Sequence, residues 1–524
     1  MRLKNDETVS NRFFDMTCVD TFGPKFVKND IFLIITALLI FWIGILRHVA
    51  LPGFYMDSVN PDYLAARALN PGINNPVSIL PTAVFPILGN LYHGVQNLYV
   101  DCVVFTVLGI HPVSIRIAQA LFGAGIIVLF YIIVLFSARN RVAAFIGSAL
   151  LATDIAFLMS FRTQFYIILG GEIWLFASIV ALLYGGFAGY LISGICMALA
   201  TYGYFVFGFF APGMLIFALA LPNRRMLTWF MGGAIGMIPY VAGYASMAIA
   251  LGGIRPMFDW ICNAVHMLNP TASQVTGLNK LWHALLLARI AMTDIGNELM
   301  MFQQPVSTSW WPLAKVIFFG VVAVIMLALA RRSRIMLLVL LPVSYLIVSS
   351  YFGSHLWAHH FSVLVPIGYM LAAVLAGYFV KNARWVVSLG AIAIIFSLLN
   401  VHQGNLVYGA LDQTGGVKKA SDALTRLASN AMGTPHTIYA FPDWGFFMPF
   451  ALLTQNSVPY VLDVEKLSNA KRTYSNVVIA FWLQSDTEKY RELLTRVGAS
   501  RVTETAYLQR DGRPAFYVLT GFFE

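Results

Sequence analysis

Apolar residues fill most of the first 400 positions in long blocks separated by short polar breaks. The blocks run at roughly 31 to 50, 113 to 136, 142 to 160, 165 to 185, 187 to 203, 204 to 221, 226 to 251, 313 to 330, 335 to 350, 362 to 380 and 385 to 400. Each approaches the twenty or so residues that a helix needs to cross about 30 Å of hydrocarbon, so the pattern predicts about eleven transmembrane helices. The division is least sharp between 165 and 221, where Gly185, Gly186, Gly203 and Pro212 interrupt one apolar stretch. Beyond residue 400 the pattern changes. His436 to Phe441, Asn476 to Phe481 and Ala515 to Thr520 read as strands, and Asp486 to Val497 as an N-capped helix. The fold class is thus a mainly α, polytopic membrane protein with a C-terminal α/β domain. Its expected divisions are a tail at 1–30, a membrane domain at 31–400 with long loops at 51–112 and 252–312, and a soluble domain at 401–524.

Charge sets the expected orientation. Arg139 and Arg141, Arg224 and Arg225, Arg331, Arg332 and Arg334, and Lys381 and Arg384 all fall on the side of the basic N-terminal segment (Arg2, Lys4, Arg12, Lys25, Lys28). Positive-inside bias makes that side cytoplasmic and puts the two long loops and the C-terminal domain outside. No apolar stretch precedes Ile31 in a way that reads as a cleavable signal. The expected location is a bacterial inner membrane, with the C-terminal domain periplasmic.

Composition narrows the class. The chain is 59% hydrophobic and only 11% charged, which excludes a soluble globular enzyme and a disordered chain. The net charge of +10 is accounted for by topology: no Lys/Arg run with interleaved aromatics lies on a soluble segment, so no nucleic-acid partner is expected. Cys18, Cys102, Cys196 and Cys262 are scattered, with no CxxC pair to make a zinc site.

Ionisable groups in or beside hydrocarbon are costly unless partnered or wet, which makes the few present informative. Asp57 follows the first block in Gly-Phe-Tyr-Met-Asp-Ser-Val-Asn-Pro-Asp-Tyr, where apolar flanks and external access suit a general base. Asp62 reads as a cap of a helix from Tyr63 to Ala68, or as a sugar-binding group. Arg67, Arg116 and Arg162 stand near the outer interface, against the charge bias, and a guanidinium fork there suits a phosphate head group. Asp154, a further candidate substrate-binding group, lies two turns before Arg162, and the spacing leaves open whether the two meet. His355, His359 and His360 cluster at another outer boundary; hydrogen bonds to a phosphate or sugar fit them better than a metal, since no carboxylate is near in sequence. The 252–312 loop mixes Asp259, Trp260, His266, His283, Asp294, Glu298, Trp310 and Trp311, which fits sugar rings or an interfacial helix equally. In the tail, Asp443 and Trp444 in Phe-Pro-Asp-Trp-Gly read first as a structural Asx-turn and second as a recognition turn.

An acid shortly after the first block is followed by Leu-Gly-Ile-His-Pro-Val-Ser-Ile-Arg116, then Ser-Ala-Arg-Asn-Arg-Val-Ala-Ala, then Ser-Phe-Arg162-Thr-Gln-Phe-Tyr. This order resembles the GT-C membrane glycosyltransferases, in particular the branch of protein O-mannosyltransferases and the lipid A aminoarabinose transferase. The likeness covers residues 30 to 190, and more loosely His-His-Phe-Ser-Val-Leu-Val-Pro366. The resemblance implies inverting transfer of a sugar from a polyprenyl-phosphate donor to a hydroxyl of a lipid, polysaccharide or protein acceptor, at the outer face. It implies Asp57 as the base, Arg162 with Gln164 beside it and Arg116 or the histidines as phosphate or sugar ligands, and no required cofactor or metal. The chain departs from many members at Ser58, where a second acid often stands, and at Thr163 and Gln164. A lipid flippase or transporter, a ligase using a longer lipid-linked glycan, and an inactive scaffold are the rival readings. Ionisable groups gathered at one interface speak against the transporter, whose charges belong at the midplane.

Overall fold

The computed structural model describes residues 27–60, 62–71, 87–163, 167–221, 224–268, 277–307, 309–380 and 383–523. Of the predicted site residues only Gln164 lies outside them.

All eleven apolar blocks are helical. The chain runs through α1 (Lys28–Leu46), α2 (Tyr63–Leu69), α3 (Gln96–Leu108), α4 (Pro112–Ala138), α5 (Arg141–Thr153), α6 (Ile155–Ser160), α7 (Ile167–Tyr184), α8 (Gly186–Gly203) and α9 (Ala211–Ala220). It continues through α10 (Met226–Gly236), α11 (Ile238–Ala250), α12 (Ile254–Leu268), α13 (Asn279–Met292), α14 (Ile295–Phe302), α15 (Trp311–Leu329), α16 (Leu340–Phe352), α17 (Leu364–Phe379) and α18 (Ala383–Thr414). Among the described residues eight helical segments are long and apolar enough to cross a membrane. The blocks at 142–160, 165–185 and 204–221 form shorter or broken helices instead. Rows of bare apolar side chains, such as Ile31, Phe32, Ile35, Leu39 and Ile43 on α1 and Val387, Ile392, Ile395 and Leu398 on α18, face outward. Water does not tolerate such stripes, whereas lipid does, and the chain is a multi-pass membrane protein.

Local sequence explains the helix boundaries near the functional end. α4 starts at Pro112, whose missing N–H costs nothing at N1, and His111 caps it: its ring accepts from Ser114 N (3.2 Å) while Ser114 Oγ accepts from His111 N (3.0 Å). The break between α5 and α6 is Asp154, whose carboxylate accepts from Phe157 N (3.1 Å) and restarts the helix as an N-cap. α18 runs past the apolar block to Thr414, so positions 401 to 414 extend the last membrane helix outward, and the separate domain begins after it.

That domain adds α19 (Ala423–Met432), α20 (Phe447–Leu453), α21 (Leu467–Ala470) and α22 (Thr487–Arg496) to a five-stranded sheet. A two-stranded ribbon in the first loop supplies β1 (Leu88–Asn90) and β2 (His93–Gly94). The sheet then holds β3 (Thr437–Ala440), β4 (Tyr460–Val461), β5 (Asn476–Phe481), β6 (Ala499–Leu508) and β7 (Pro514–Phe523), in the order β4-β3-β5-β7-β6. β3 pairs parallel with β4 and β5; β7 pairs antiparallel with β5 and β6. The predicted strands and helix are all present, and β4 and β6 are additions. β6 has few buried positions, which left no apolar run to read.

One core ties this domain to the first loop. Phe54, Tyr55, Met56, Val59, Tyr63 and Leu64 pack in the same buried cluster as Leu424, Leu427, Phe446, Phe450 and Phe516. Gly53 N donates to Ala420 O (2.8 Å), and a Cβ at Gly53 would lie 2.1 Å from Ser421 O, so only glycine allows this approach. The second loop joins too, through Val417 N to Met301 O (2.8 Å). Both long loops and the C-terminal domain thus gather at one end of the bundle.

Candidate functional site

Asp57 sits on a tight 3-10 turn, Met56–Val59, directly after α1 and its Pro52-Gly53 exit. The turn closes on itself: Tyr55 N donates to Ser58 Oγ (3.1 Å) and Ser58 Oγ donates to Tyr55 O (2.7 Å). Phe54, Met56 and Val59 are fully buried beneath it, which leaves Asp57 as the half-buried polar side chain at its rim. Burial pushes its carboxyl up to about 6, against an opposing pull from the nearby Lys419 ammonium. The charge of Asp57 also reaches the phenols of Tyr55 and Tyr92.

Asp62 lies one layer deeper and is buried at 1% exposure. Its carboxylate accepts from Asn97 Nδ2 (2.5 Å) and Gln119 Nε2 (3.1 Å), and the same Gln119 amide also donates to Ser58 O (2.9 Å). Asp101 of α3 hydrogen-bonds to Asp62, and burial together with the Asp62 charge holds its carboxyl well above the usual range. The capping role expected of Asp62 is not made by its side chain.

Arg116 is buried at the first turns of α4, where it donates to Gln119 Oε1 (3.1 Å) and Pro52 O (3.0 Å) and lies 4.3 Å over the Phe54 ring. Arg162 follows α6 and donates to the carbonyls of Ile45, Arg47 (2.7 Å), His48 (3.2 Å) and Leu51 (3.1 Å). These carbonyls lie at and just beyond the C-terminal end of α1, where a cation complements the helix dipole. Each guanidinium keeps a buried Nε with no hydrogen-bond partner among the described residues, and the two are close enough to feel each other's charge. Both therefore bind the backbone that carries Asp57.

The remaining residues divide. Arg67 ends α2, half-buried and beside Tyr63, without an ion pair among the described residues. Asp154 forms an ion pair with Lys315 and accepts from Tyr369 Oη (2.6 Å), and its partner is not Arg162. Tyr369 accepts from Asn400 Nδ2 (3.1 Å), whose Oδ1 takes the Trp311 indole N–H (3.0 Å). This fully buried network is packing between helices. The rings of His359 and His360 lie 4.3 Å apart, tilted by 31°, and His360 Nε2 is 3.4 Å from Tyr204 Oη. Tyr204 in turn stacks on His93 and packs against Tyr92 (5.6 and 5.4 Å), which returns the array to the field of Asp57. His93 is buried, its basicity pushed down to about 4, so it is a neutral imidazole. His355 is exposed on the preceding turn. Asp443 accepts from Trp482 N (2.9 Å) and Tyr490 Oη (2.8 Å), which makes its turn structural.

Sequence reasoning missed Lys419, Asp101, Tyr92, His93 and Tyr204. Asp101 alone carried a signal, as an acid in an apolar helix. The others meet Asp57 or one another across the fold.

No family model matches the chain, and no curated protein matches it in sequence. Solved structures do match in fold. ArnT from Cupriavidus metallidurans bound to undecaprenyl phosphate is 12% identical, with a TM-score of 0.51 over 94% of this chain and 97% of that one. The apo state of the same protein gives 13%, 0.53, 94% and 97%. The Archaeoglobus fulgidus oligosaccharyltransferase, tethered with an acceptor peptide containing the NVT sequon, gives 13% and 0.50 over 89% of this chain and 70% of that one. The chain shares the fold of these solved structures.

Proposed function

We propose that the chain is an inverting glycosyltransferase that moves a sugar from a polyprenyl phosphate to an acceptor hydroxyl at the outer face of a bacterial inner membrane. The observation that carries this reading is Asp57: a half-buried carboxyl poised near 6, on a braced turn, at the end of the bundle where both loops and the C-terminal domain meet. The solved ArnT that shares the fold holds undecaprenyl phosphate, which supports a donor of the same kind.

In this mechanism the Asp57 carboxylate takes the proton of the acceptor hydroxyl as its oxygen attacks the anomeric carbon. The new C–O bond forms on the face opposite the phosphate, the old C–O bond breaks, and its electron pair leaves with the polyprenyl phosphate. One displacement inverts the carbon. The leaving group gains a negative charge, which Lys419, with the fixed positive field of Arg116 and Arg162 behind the turn, stabilises without any need for a metal. Arg116 and Arg162 act through position and field, since their terminal nitrogens are engaged with carbonyls and Gln119. The basic N-terminal side faces the cytoplasm and the C-terminal domain the periplasm.

The test is the pH dependence of transfer from a polyprenyl-phosphate sugar, with the product's anomeric configuration read at the optimum. Asp57 works ionised, so kcat/KM should rise tenfold per pH unit below about 6 and level above it, with inverted product. A flat profile from pH 5 to 8, or retained configuration, would overturn the reading.

A further inference from the structure

The C-terminal domain presents large apolar side chains to solvent beside Asp57. Trp444 is 57% exposed and Leu483 58%, and Trp444 stands directly before the buried Gly445, Phe446 and Phe447. They are held in register. The Trp482 indole N–H donates to Trp444 O (2.8 Å), and its ring is stacked from behind by Phe446 at 3.9 Å. Gly445, at φ +115°, brings the Trp444 turn against Tyr55, where a Cβ would lie 2.6 Å from the ring and 3.3 Å from Trp482. Tyr55 is two residues from Asp57. The Lys419 ammonium completes the group, 5.6 Å from the Tyr55 ring centroid and 5.7 Å from that of Trp482.

A rigid indole left in water at Trp444, with the half-buried Trp482 and the buried Tyr55 behind its turn and one carboxylate and one ammonium nearby, has a specific use. The C–H face of a pyranose stacks on such rings while its hydroxyls bond to the charged rim. An acyl chain would need an aliphatic wall without charges. A peptide would need an open sheet edge or paired backbone groups, which this turn does not offer.

We infer that Trp444, held by Trp482 and Tyr55 behind it and flanked by Lys419, forms an acceptor subsite that stacks a sugar ring of a glycan and brings its hydroxyl to Asp57. The inference rests on the transferase reading for its purpose, and on the ring geometry for its ligand. It assigns the acceptor to carbohydrate rather than to peptide or lipid. Asp443, in the same turn, supports the platform from within the domain.

The test is tryptophan fluorescence of the full-length protein in nanodiscs, titrated with cellotetraose, chitotetraose and tetragalacturonate, and separately with a Ser/Thr-rich peptide and a short-chain phospholipid. At least one saccharide should bind saturably, and Trp444→Ala should weaken it about tenfold while Trp444→Phe restores most of the affinity. Affinity for undecaprenyl phosphate, measured on the same samples, checks that the variant is folded. Saccharide binding unchanged in Trp444→Ala, no saccharide binding to the native protein, or binding of the peptide or phospholipid alone that is lost on that substitution would overturn the inference. Because binding is read without turnover, a native protein that binds saccharide yet never transfers sugar counts against the transferase reading and leaves the subsite standing.

Discussion

Asp57→Asn should lower kcat by about 10² to 10⁴ while the protein keeps its fold and its donor. The sign of each part follows from the site. Burial already disfavours the charged carboxyl, so a neutral amide of the same shape costs the folded state nothing, and the thermal midpoint should not fall. Removing a negative charge near the leaving phosphate should hold or tighten polyprenyl phosphate binding. Proton removal, however, has no substitute, since the next carboxyls, Asp62 and Asp101, lie buried below the turn at 1% exposure. Transfer rates and donor binding on the purified variant check this. Transfer within tenfold of the native rate would rule out Asp57 as the base.

The second large effect concerns stability. Lys315→Met should destabilise the membrane domain by about 3 to 5 kcal/mol, because it strands the Asp154 carboxylate where both partners are fully buried. Tyr369 and Phe157 N would still donate to Asp154, yet neither carries a charge. Combining Lys315→Met with Asp154→Asn should recover most of the loss, since no charge remains, the amide oxygen can still accept from Phe157 N, and the amide nitrogen can donate to the Tyr369 hydroxyl. Thermal unfolding of the two single variants and the double variant in detergent measures the coupling. A Lys315→Met protein as stable as the native one would show that the pair contributes nothing.

The apolar blocks were legible because a helix in lipid must satisfy its own backbone groups, and length with hydropathy then decides most of the architecture. Interruptions were harder. Asp154 looked like a ligand in an apolar span because a residue that caps a restarted helix and pairs across the bundle leaves no local mark. Its partner Lys315 was visible as a lone base within a predicted span and would have been found by asking what neutralises each buried charge. The end of the membrane domain was read from a shift in charge, whereas α18 continues to Thr414 with a mixed outer part.

The site was legible in part for a similar reason. Asp57 stood out as a carboxyl immediately after a membrane helix, a local feature of the chain. Arg116 and Arg162 stood out as cations on the outer side, but their partners are carbonyls of residues 45 to 52, and backbone acceptors have no sequence signature. Lys419 reaches Asp57 from a turn more than 350 positions away, and Tyr92, His93 and Tyr204 come together from separate segments. The exposed Trp444 was noticed inside a turn motif, and only the fold sets it beside Tyr55.

The most direct test of the central claim is a structure of the protein with undecaprenyl phosphate bound. The account predicts the phosphate at the end of the bundle that carries the Asp57 turn, nearest Lys419 and the Arg116 and Arg162 guanidiniums, with Asp57 open toward it from the acceptor side. A phosphate held among Arg331, Arg332 and Arg334 at the basic end, or sealed from Asp57 by the turn at 417–421, would contradict it.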